Sequence, residues 1–234
     1  MYLLSQYNMF LTNHDIYFKG AFVVDFMSII VMAFIAYIGY SYYKLSKRKT
    51  FFVFTWAFST LSLAYLIQLF VNLSIHYDFF NTSLIGIVES VYLANSSIHI
   101  FQLIAIFIFR FLLLGGLYLL YQTFHERNMF DHSIMAFLLL AVSYLSITNY
   151  KLFHLIIFLF LCFVALSYHK KYLENKNGLT LMLSFCFIFL SISQIGFLVV
   201  NPTWFVYAIS GLIQFMGLFL LLTTLVLLKH GKKK

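Results

Sequence analysis

The stretch SIHIFQLIAIFIFRFLLLGGLYLLYQT, residues 97–123, contains a single charged side chain, that of Arg110. A helix crosses the hydrocarbon core of a membrane with about 20 predominantly apolar residues. The strands of a membrane barrel are about ten residues long and alternate apolar with polar positions. Because this run is much longer and shows no such alternation, it predicts a transmembrane helix.

Six other stretches have the same character, at 21–43, 51–72, 132–149, 152–171, 179–200 and 205–228. Hydrophobic residues make up 63% of the 234 positions and charged residues only 9%, whereas a soluble domain has about 25% charged residues. We therefore expect an all-α, polytopic integral membrane protein, a seven-transmembrane-helix bundle. The predicted domains are an outer N-terminal segment at 1–20, the seven-helix domain at 21–230 and a basic cytoplasmic tail at 231–234.

The distribution of basic residues predicts the orientation of this bundle. Lysine and arginine are enriched on the cytoplasmic side of membrane proteins. Of the fifteen Lys and Arg residues, twelve lie in every second gap or in the tail, at 44, 47–49, 127, 170, 171, 176, 229 and 232–234. Only Lys19 and Lys151 fall on the other side, and Arg110 lies within a span. The N-terminus is therefore predicted outside and the C-terminus inside, in the cell membrane.

The net charge of +8 is accounted for by this topology. Basic residues beside a membrane attract anionic lipid of the inner leaflet, by about 1 kcal/mol each near the surface. The expected partners are therefore membrane lipids, with anionic inner-leaflet lipid at the basic loops. A protein partner could bind through the helices or the cytoplasmic loops. Nucleic acid is not expected to bind.

Arg110 is the centre of the candidate site, because a charge near the middle of a bilayer is costly and usually faces the interior of a helix bundle. His99 and Gln102 share a helix face with Arg110, at spacings close to the helical repeat. Further polar residues fall in the outer half of other predicted spans, namely Gln68, Gln194, Gln214 and the carboxyl group of Asp25. We interpret this set as a binding site for an anionic ligand. The alternative is that Arg110 is a hydrogen-bonding hub that fixes helix register.

Sequence patterns for catalysis and for metal or cofactor binding are missing. There is no Gly-x-Ser-x-Gly, His-Glu-x-x-His or glycine-rich phosphate loop, so an enzyme is not expected. His76, His99 and His154 approach the same side, but no two histidines share a helix at the i, i+4 spacing and no carboxylate accompanies them. We predict neither metal nor cofactor. Cys162 and Cys186 lie inside apolar runs and are expected to be packing residues.

The long gap at 73–96 is predicted to lie outside. Apolar residues within 84–93 recur at helical spacing and predict a short amphipathic helix over the outer mouth. Three Asn-x-Ser patterns begin at Asn72, Asn81 and Asn95, and glycosylation of these sites stays open.

Three functions are compatible with these features. The first is a non-enzymatic sensor or receptor that binds a small or lipid-like anionic ligand in the outer half of the bundle. The second is a structural or accessory subunit of a larger membrane complex. A small-solute transporter is third, because spans 1–3 and 5–7 show no similarity of sequence that would indicate the repeats of many transporters.

Overall fold

The computed structural model describes residues 15–77, 91–124, 129–199 and 204–231, which form seven α-helices. They are α1 (Asp15–Ser46), α2 (Lys49–Tyr77), α3 (Val91–Gln122), α4 (Met129–Thr148), α5 (Tyr150–Asn175), α6 (Gly178–Leu198) and α7 (Trp204–Gly231). Each overlaps one of the seven predicted spans. Helices suit apolar surroundings because every backbone N–H and C=O inside them is paired within the same segment. The amphipathic helix predicted at 84–93 falls mostly on residues outside the described ranges.

Five helices are long and apolar enough to cross a membrane: α1, α2, α3, α5 and α6. In α4 and α7 the described apolar stretches are shorter, at Ser133–Ile147 and Ala208–Thr224. Large apolar side chains cover much of the outer surface, and Phe137 is 70% exposed. Such a surface in contact with water would drive aggregation. The chain is accordingly a multi-pass membrane protein in its architecture.

Six helices pack in a closed ring, in the order α1, α2, α3, α5, α6, α7 and back to α1. The remaining helix, α4, packs against α3 and α5 from outside the ring. It buries one narrow stripe, formed by Leu139, Ser143 and Ser146. The chain therefore consists of two groups of three helices, α1–α3 and α5–α7, connected by a peripheral α4.

The turns inside the two groups have the same geometry. Lys47 ends α1 and Lys176 ends α5, and both adopt the left-handed conformation, with φ of 54° and 49°. Each donates its backbone N–H to the carbonyl four residues earlier, Tyr43 at 2.8 Å and Tyr172 at 2.6 Å. This is a common way to end a helix. We call the separation in sequence from Lys47 to Lys176 the repeat interval.

The repeat interval also relates the buried positions of the first two helices of each group. Pairs buried in both groups are Met32 and Leu161, Ile35 and Val164, Ala36 and Ala165, Ala57 and Cys186, Phe58 and Phe187, Leu61 and Leu190, and Ala64 and Ser193. For α3 and α7 the interval is shorter but again constant, and the pairs are Phe109 and Ser210, Leu113 and Gln214, Gly116 and Gly217, Leu117 and Leu218, and Leu120 and Leu221. The two groups are therefore structural repeats.

The packing between the groups follows the same relation. α1 contacts α7, and its equivalent, α5, contacts α3, which is the equivalent of α7. The contact of Asn72 with Asp25 makes α1 and α2 antiparallel, and that of Gly116 with Leu61 makes α2 and α3 antiparallel. Phe109 meets Phe153 and Phe124 meets Tyr168, so α3 and α5 are parallel, and α1 and α5 run in the same direction. A two-fold axis that runs along the helices would exchange the two groups in this way, as in proteins built from parallel repeats. Spans 1–3 and 5–7, which show no similarity of sequence, are therefore packed in equivalent arrangements.

Candidate functional site

Arg110 is buried, with 4% of its surface exposed, and lies where α3, α4 and α5 meet. Its guanidinium donates a hydrogen bond from Nη1 to the backbone carbonyl of Ser146. Its Cζ also lies 4.9 Å from the centre of the Phe153 ring, a cation–π distance. Ser146 is in the last turn of α4, where the helix dipole is negative and carbonyls lack the usual partner four residues on; its carbonyl also accepts the Asn149 N–H at 3.2 Å. Arg110 therefore caps the C-terminus of α4 and holds it against α3 and α5.

The two residues predicted to share the face of Arg110 lie on the same helix, α3. Gln102 is half-buried. The side chain of His99 lies outside the described part of the structure. The shared helix is established by the backbone, whereas a contact of His99 or Gln102 with a ligand remains a prediction.

A polar cluster, which we call the α1–α2 cluster, comprises Asp25, Gln68 and Asn72. The Asn72 amide donates to Oδ2 of Asp25 at 2.8 Å, and the Gln68 amide donates to Oδ1 of Asn72 at 3.4 Å. One turn further along α2, the Tyr65 hydroxyl accepts a hydrogen bond from the Gln214 amide of α7 at 3.1 Å. Three helices, α1, α2 and α7, are thus connected through neutral amides around one carboxyl group.

A second polar contact joins the corresponding helices of the other group. Nδ1 of His154 on α5 lies 2.8 Å from Oε1 of Gln194 on α6. The imidazole is surrounded by aromatic rings, with centroids at 4.3 Å for Tyr150 and 5.0 Å for Phe197. The repeat interval separates His154 from Asp25, and it also separates Gln194 from Tyr65. The repeat therefore places a titratable side chain at the same position on the first helix of each group.

The predicted site residues are consequently divided among four separate contacts. Arg110 contacts α4 and α5, Gln194 contacts His154, and Gln214 contacts Tyr65. Asp25 and Gln68 meet through Asn72. The sequence pattern places His154 on the same side as His76 and His99 and does not reveal its contact with Gln194. The contact could have been anticipated from the equivalence of His154 to Asp25, but only if the repeat had been recognised in the sequence.

Two open grooves lie away from these polar contacts. The larger, of about 570 Å³, lies between α1 and α2 on the surface of the bundle, and its lining includes Ala33, Ala36, Tyr37 and Ser59. The smaller, of about 210 Å³, includes Tyr121, Ser167 and Lys170. Neither is lined by a predicted site residue. Among the residues whose placement is described, no group of three His, Cys, Asp or Glu side chains could hold a metal ion.

Comparison with known proteins gave no relative on which an assignment could be based: no family model matches the chain, and neither the curated proteins nor the solved structures contain a significant match.

Proposed function

We propose that the chain spans the cell membrane seven times, with its N-terminus outside and its C-terminus inside. The clustering of basic residues supports this orientation, because the turns at Lys47 and Lys176 lie at the same end of the bundle and both are basic. The 20 residues of α4 correspond to about 30 Å of helix, which is enough for a crossing. An odd number of crossings then brings the two ends of the chain to opposite faces.

Single-cysteine labelling tests this topology. In a variant without Cys162 and Cys186, we expect Ser46→Cys and Asn175→Cys to react with a membrane-impermeant thiol reagent only from the cytoplasmic side. Lys151→Cys, in the exposed first turn of α5, should react only from outside. Because residues 46 and 175 are equivalent positions of the repeat, they act as controls for each other. Reaction of these two positions from opposite sides would contradict both the orientation and the parallel repeat.

We further propose that the protein is a transporter of a small solute, moving through the relative rotation of the two three-helix groups. The parallel repeat is the single observation that carries this proposal, since many secondary transporters are built from such repeats and alternate by rocking one against the other. The sensor or receptor hypothesis includes an anionic ligand in the outer half of the bundle, near Arg110. That guanidinium already contacts the Ser146 carbonyl and the Phe153 ring, so the motive for a ligand at Arg110 is weaker.

Alternating access can be tested before the solute is known. Ser210 and Thr224 are buried on α7, nearer its outer and inner ends in the proposed orientation, and each becomes a thiol with little change of volume. Val24 and Gly211 face each other across α1 and α7, with 3.8 Å between Cγ2 of Val24 and a Cβ placed on Gly211. A disulfide in the Val24→Cys, Gly211→Cys double variant should hold the outer ends of α1 and α7 together.

We expect that disulfide to stop labelling of Ser210→Cys from outside and to raise labelling of Thr224→Cys from inside. The rise should be about tenfold or more if the inward-open state is normally a minor population of about 10% or less. Reduction of the disulfide should reverse both effects and serves as the control. If the rates of labelling at both positions are unchanged by the disulfide, the bundle is rigid and the transporter proposal is contradicted.

A structural or accessory subunit is the second candidate function, and the groove along α1 and α2 favours it. Small side chains at Ala33, Ala36 and Ser59 let another helix approach closely, as at helix contacts in membranes. Recovery of a stoichiometric complex from native membranes, lost when Ala33→Leu fills the groove and retained in Ala136→Leu on the exposed face of α4, would favour this candidate over transport.

A further inference from the structure

Asp25 is a titratable group whose surroundings do not suit a permanent charge. It lies three residues inside the apolar stretch that begins at Phe22. Only 9% of its surface is exposed, and its hydrogen-bond partner is the neutral amide of Asn72. No lysine, arginine or histidine among the described side chains forms an ion pair with it. An ionisable residue inside a membrane span, without a compensating charge, usually has a functional role.

Among the side chains that the structure describes, those that face Asp25 from α2 and α7 are neutral. From α2 it meets Asn72, and Tyr65 lies nearby with its hydroxyl engaged by Gln214. On α7, the side chains described between Ala208 and Thr224 include none that titrates. A carboxylate held among amides and apolar groups loses solvation without gaining a counter-charge. The neutral acid, with a hydrogen on one carboxyl oxygen, avoids this cost.

We propose that Asp25 is the proton-binding site of this protein and that its protonation is coupled to the alternation between outward-open and inward-open states. The coupling rests on the transporter function proposed above. In one state the carboxyl group is buried as observed and holds a proton on Oδ1 or Oδ2. In the other, movement of α7 away from α1 and α2 admits water, and the proton is released to that water.

The repeat supports a specialised role for Asp25. The equivalent position in the second group is His154, which contacts Gln194 and is surrounded by aromatic rings. Imidazole can be buried as a neutral base with one N–H donor and one acceptor nitrogen. A carboxyl group, in contrast, must carry a proton to be neutral. The two groups therefore have a titratable residue at the same position, but only the carboxyl group of Asp25 must bind a proton to be neutral. In this proposal the first group carries the proton.

A hydrophobic carbodiimide tests the protonated state directly, because it reacts with carboxylic acids in apolar surroundings. The full chain in detergent is treated across a range of pH, and peptides are measured by mass spectrometry. We expect Asp25 to be modified about tenfold faster than the exposed Glu174, because burial favours the neutral acid. The rate should fall as pH rises. Equal modification of Asp25 and Glu174 would overturn the proposal. Protection of Asp25 by sodium ions would also overturn it, because Asp25 would then bind a sodium ion rather than a proton.

Coupling is tested with the labelling pair Ser210→Cys and Thr224→Cys in sealed vesicles. With Asp25 present, the ratio of outer to inner labelling should change with pH, whereas in Asp25→Asn it should be independent of pH. Asp25→Glu should restore the dependence, and His154→Gln should retain it as a control for a second titratable group. If the disulfide experiment shows alternation but its pH dependence is the same in Asp25→Asn, proton coupling fails and the transporter proposal stands. If no alternation occurs, both fail.

Discussion

Replacement of Gly116 by leucine is expected to destabilise the bundle strongly, whereas leucine at the adjacent Gly115 is tolerated. A Cβ placed on Gly116 would lie 2.7 Å from Cγ of Leu61 and 3.1 Å from the backbone oxygen of Ala57. Leu61 and Ala57 are themselves buried. A larger side chain therefore cannot be admitted unless α2 and α3 separate. At Gly115, no atom lies within 4 Å of the added Cβ.

The expected cost follows from overpacking, which destabilises a well-packed interior by about 1–3 kcal/mol and occasionally more. For Gly116→Leu we expect about 3 kcal/mol or more, or a fall in melting temperature of roughly 10 °C for a chain of this size. Gly115→Leu should be neutral or slightly stabilising, because leucine exceeds glycine in helix propensity by about 0.8 kcal/mol. Thermal unfolding in detergent, followed by size-exclusion chromatography, measures both. Equal loss in the two variants would show that the close approach at Gly116 is not what limits packing.

Gly217 provides the same test in the second group. A Cβ on Gly217 would lie 3.0 Å from Cγ and Cδ2 of Leu190 and 3.3 Å from the backbone oxygen of Cys186. The contacts at Gly116 and Gly217 thus involve equivalent partners, a leucine and the carbonyl four residues before it. We expect Gly217→Leu to be destabilising, but less than Gly116→Leu, because its contacts are longer. This order also tests the equivalence of the two groups.

The seven helices could be predicted because apolar length is a local property of the sequence. Each predicted range overlaps one helix, and the differences lie at the ends. α1 begins at Asp15 and α3 at Val91, each several residues before the predicted start. Apolar runs mark the hydrocarbon region, whereas a helix continues through polar residues beyond it. The short gap between the predicted spans 132–149 and 152–171 is a turn, in which the Asn149 side chain caps α5 by accepting a hydrogen bond from the Leu152 N–H.

The repeat could not be recognised because packing constrains size and polarity more than identity. Equivalent buried pairs such as Ala57 and Cys186 or Ile35 and Val164 fill similar space with different residues. The interval between equivalent positions is also shorter in the third helix of each group than in the first two, because α2 extends further than α6, the segment after it is longer, and α3 has more residues before these positions than α7. A search at one fixed period therefore aligns only part of each group.

The grouping of the site residues depended on helix arrangement rather than on depth. Gln68, Gln194 and Gln214 were expected together because they fall in the outer half of their spans. Depth along a helix follows from residue number, but the direction of a side chain around the bundle depends on which helices are neighbours. The position of α4 outside the ring was decisive for Arg110, since it placed the end of that helix beside the guanidinium.

Replacement of Arg110 by glutamine is expected to loosen α4 from the bundle. The variant loses a charge-assisted hydrogen bond to the Ser146 carbonyl, worth about 1.5–3 kcal/mol. It also loses the contact with the Phe153 ring, worth about 0.5–2 kcal/mol. Against this, removal of a buried charge recovers part of its desolvation cost. We expect a net loss of about 2 kcal/mol in the free energy of unfolding, concentrated at the C-terminal end of α4.

The part of the structure that loses stability distinguishes a hydrogen-bonding role of Arg110 from a ligand-binding role. Ser143 is fully buried on α4, and a thiol in Ser143→Cys should become reactive when Arg110→Gln is added, in a background where Cys162 is serine. The native Cys186, fully buried between α6 and α7, should stay protected in the same sample and controls for general unfolding. Arg110→Lys keeps a charge at the end of α4 without the planar guanidinium, so its reactivity should be intermediate. If Arg110→Gln instead leaves both thiols protected and the melting temperature unchanged, Arg110 does not hold α4 in place, and a ligand for its charge again becomes the better explanation.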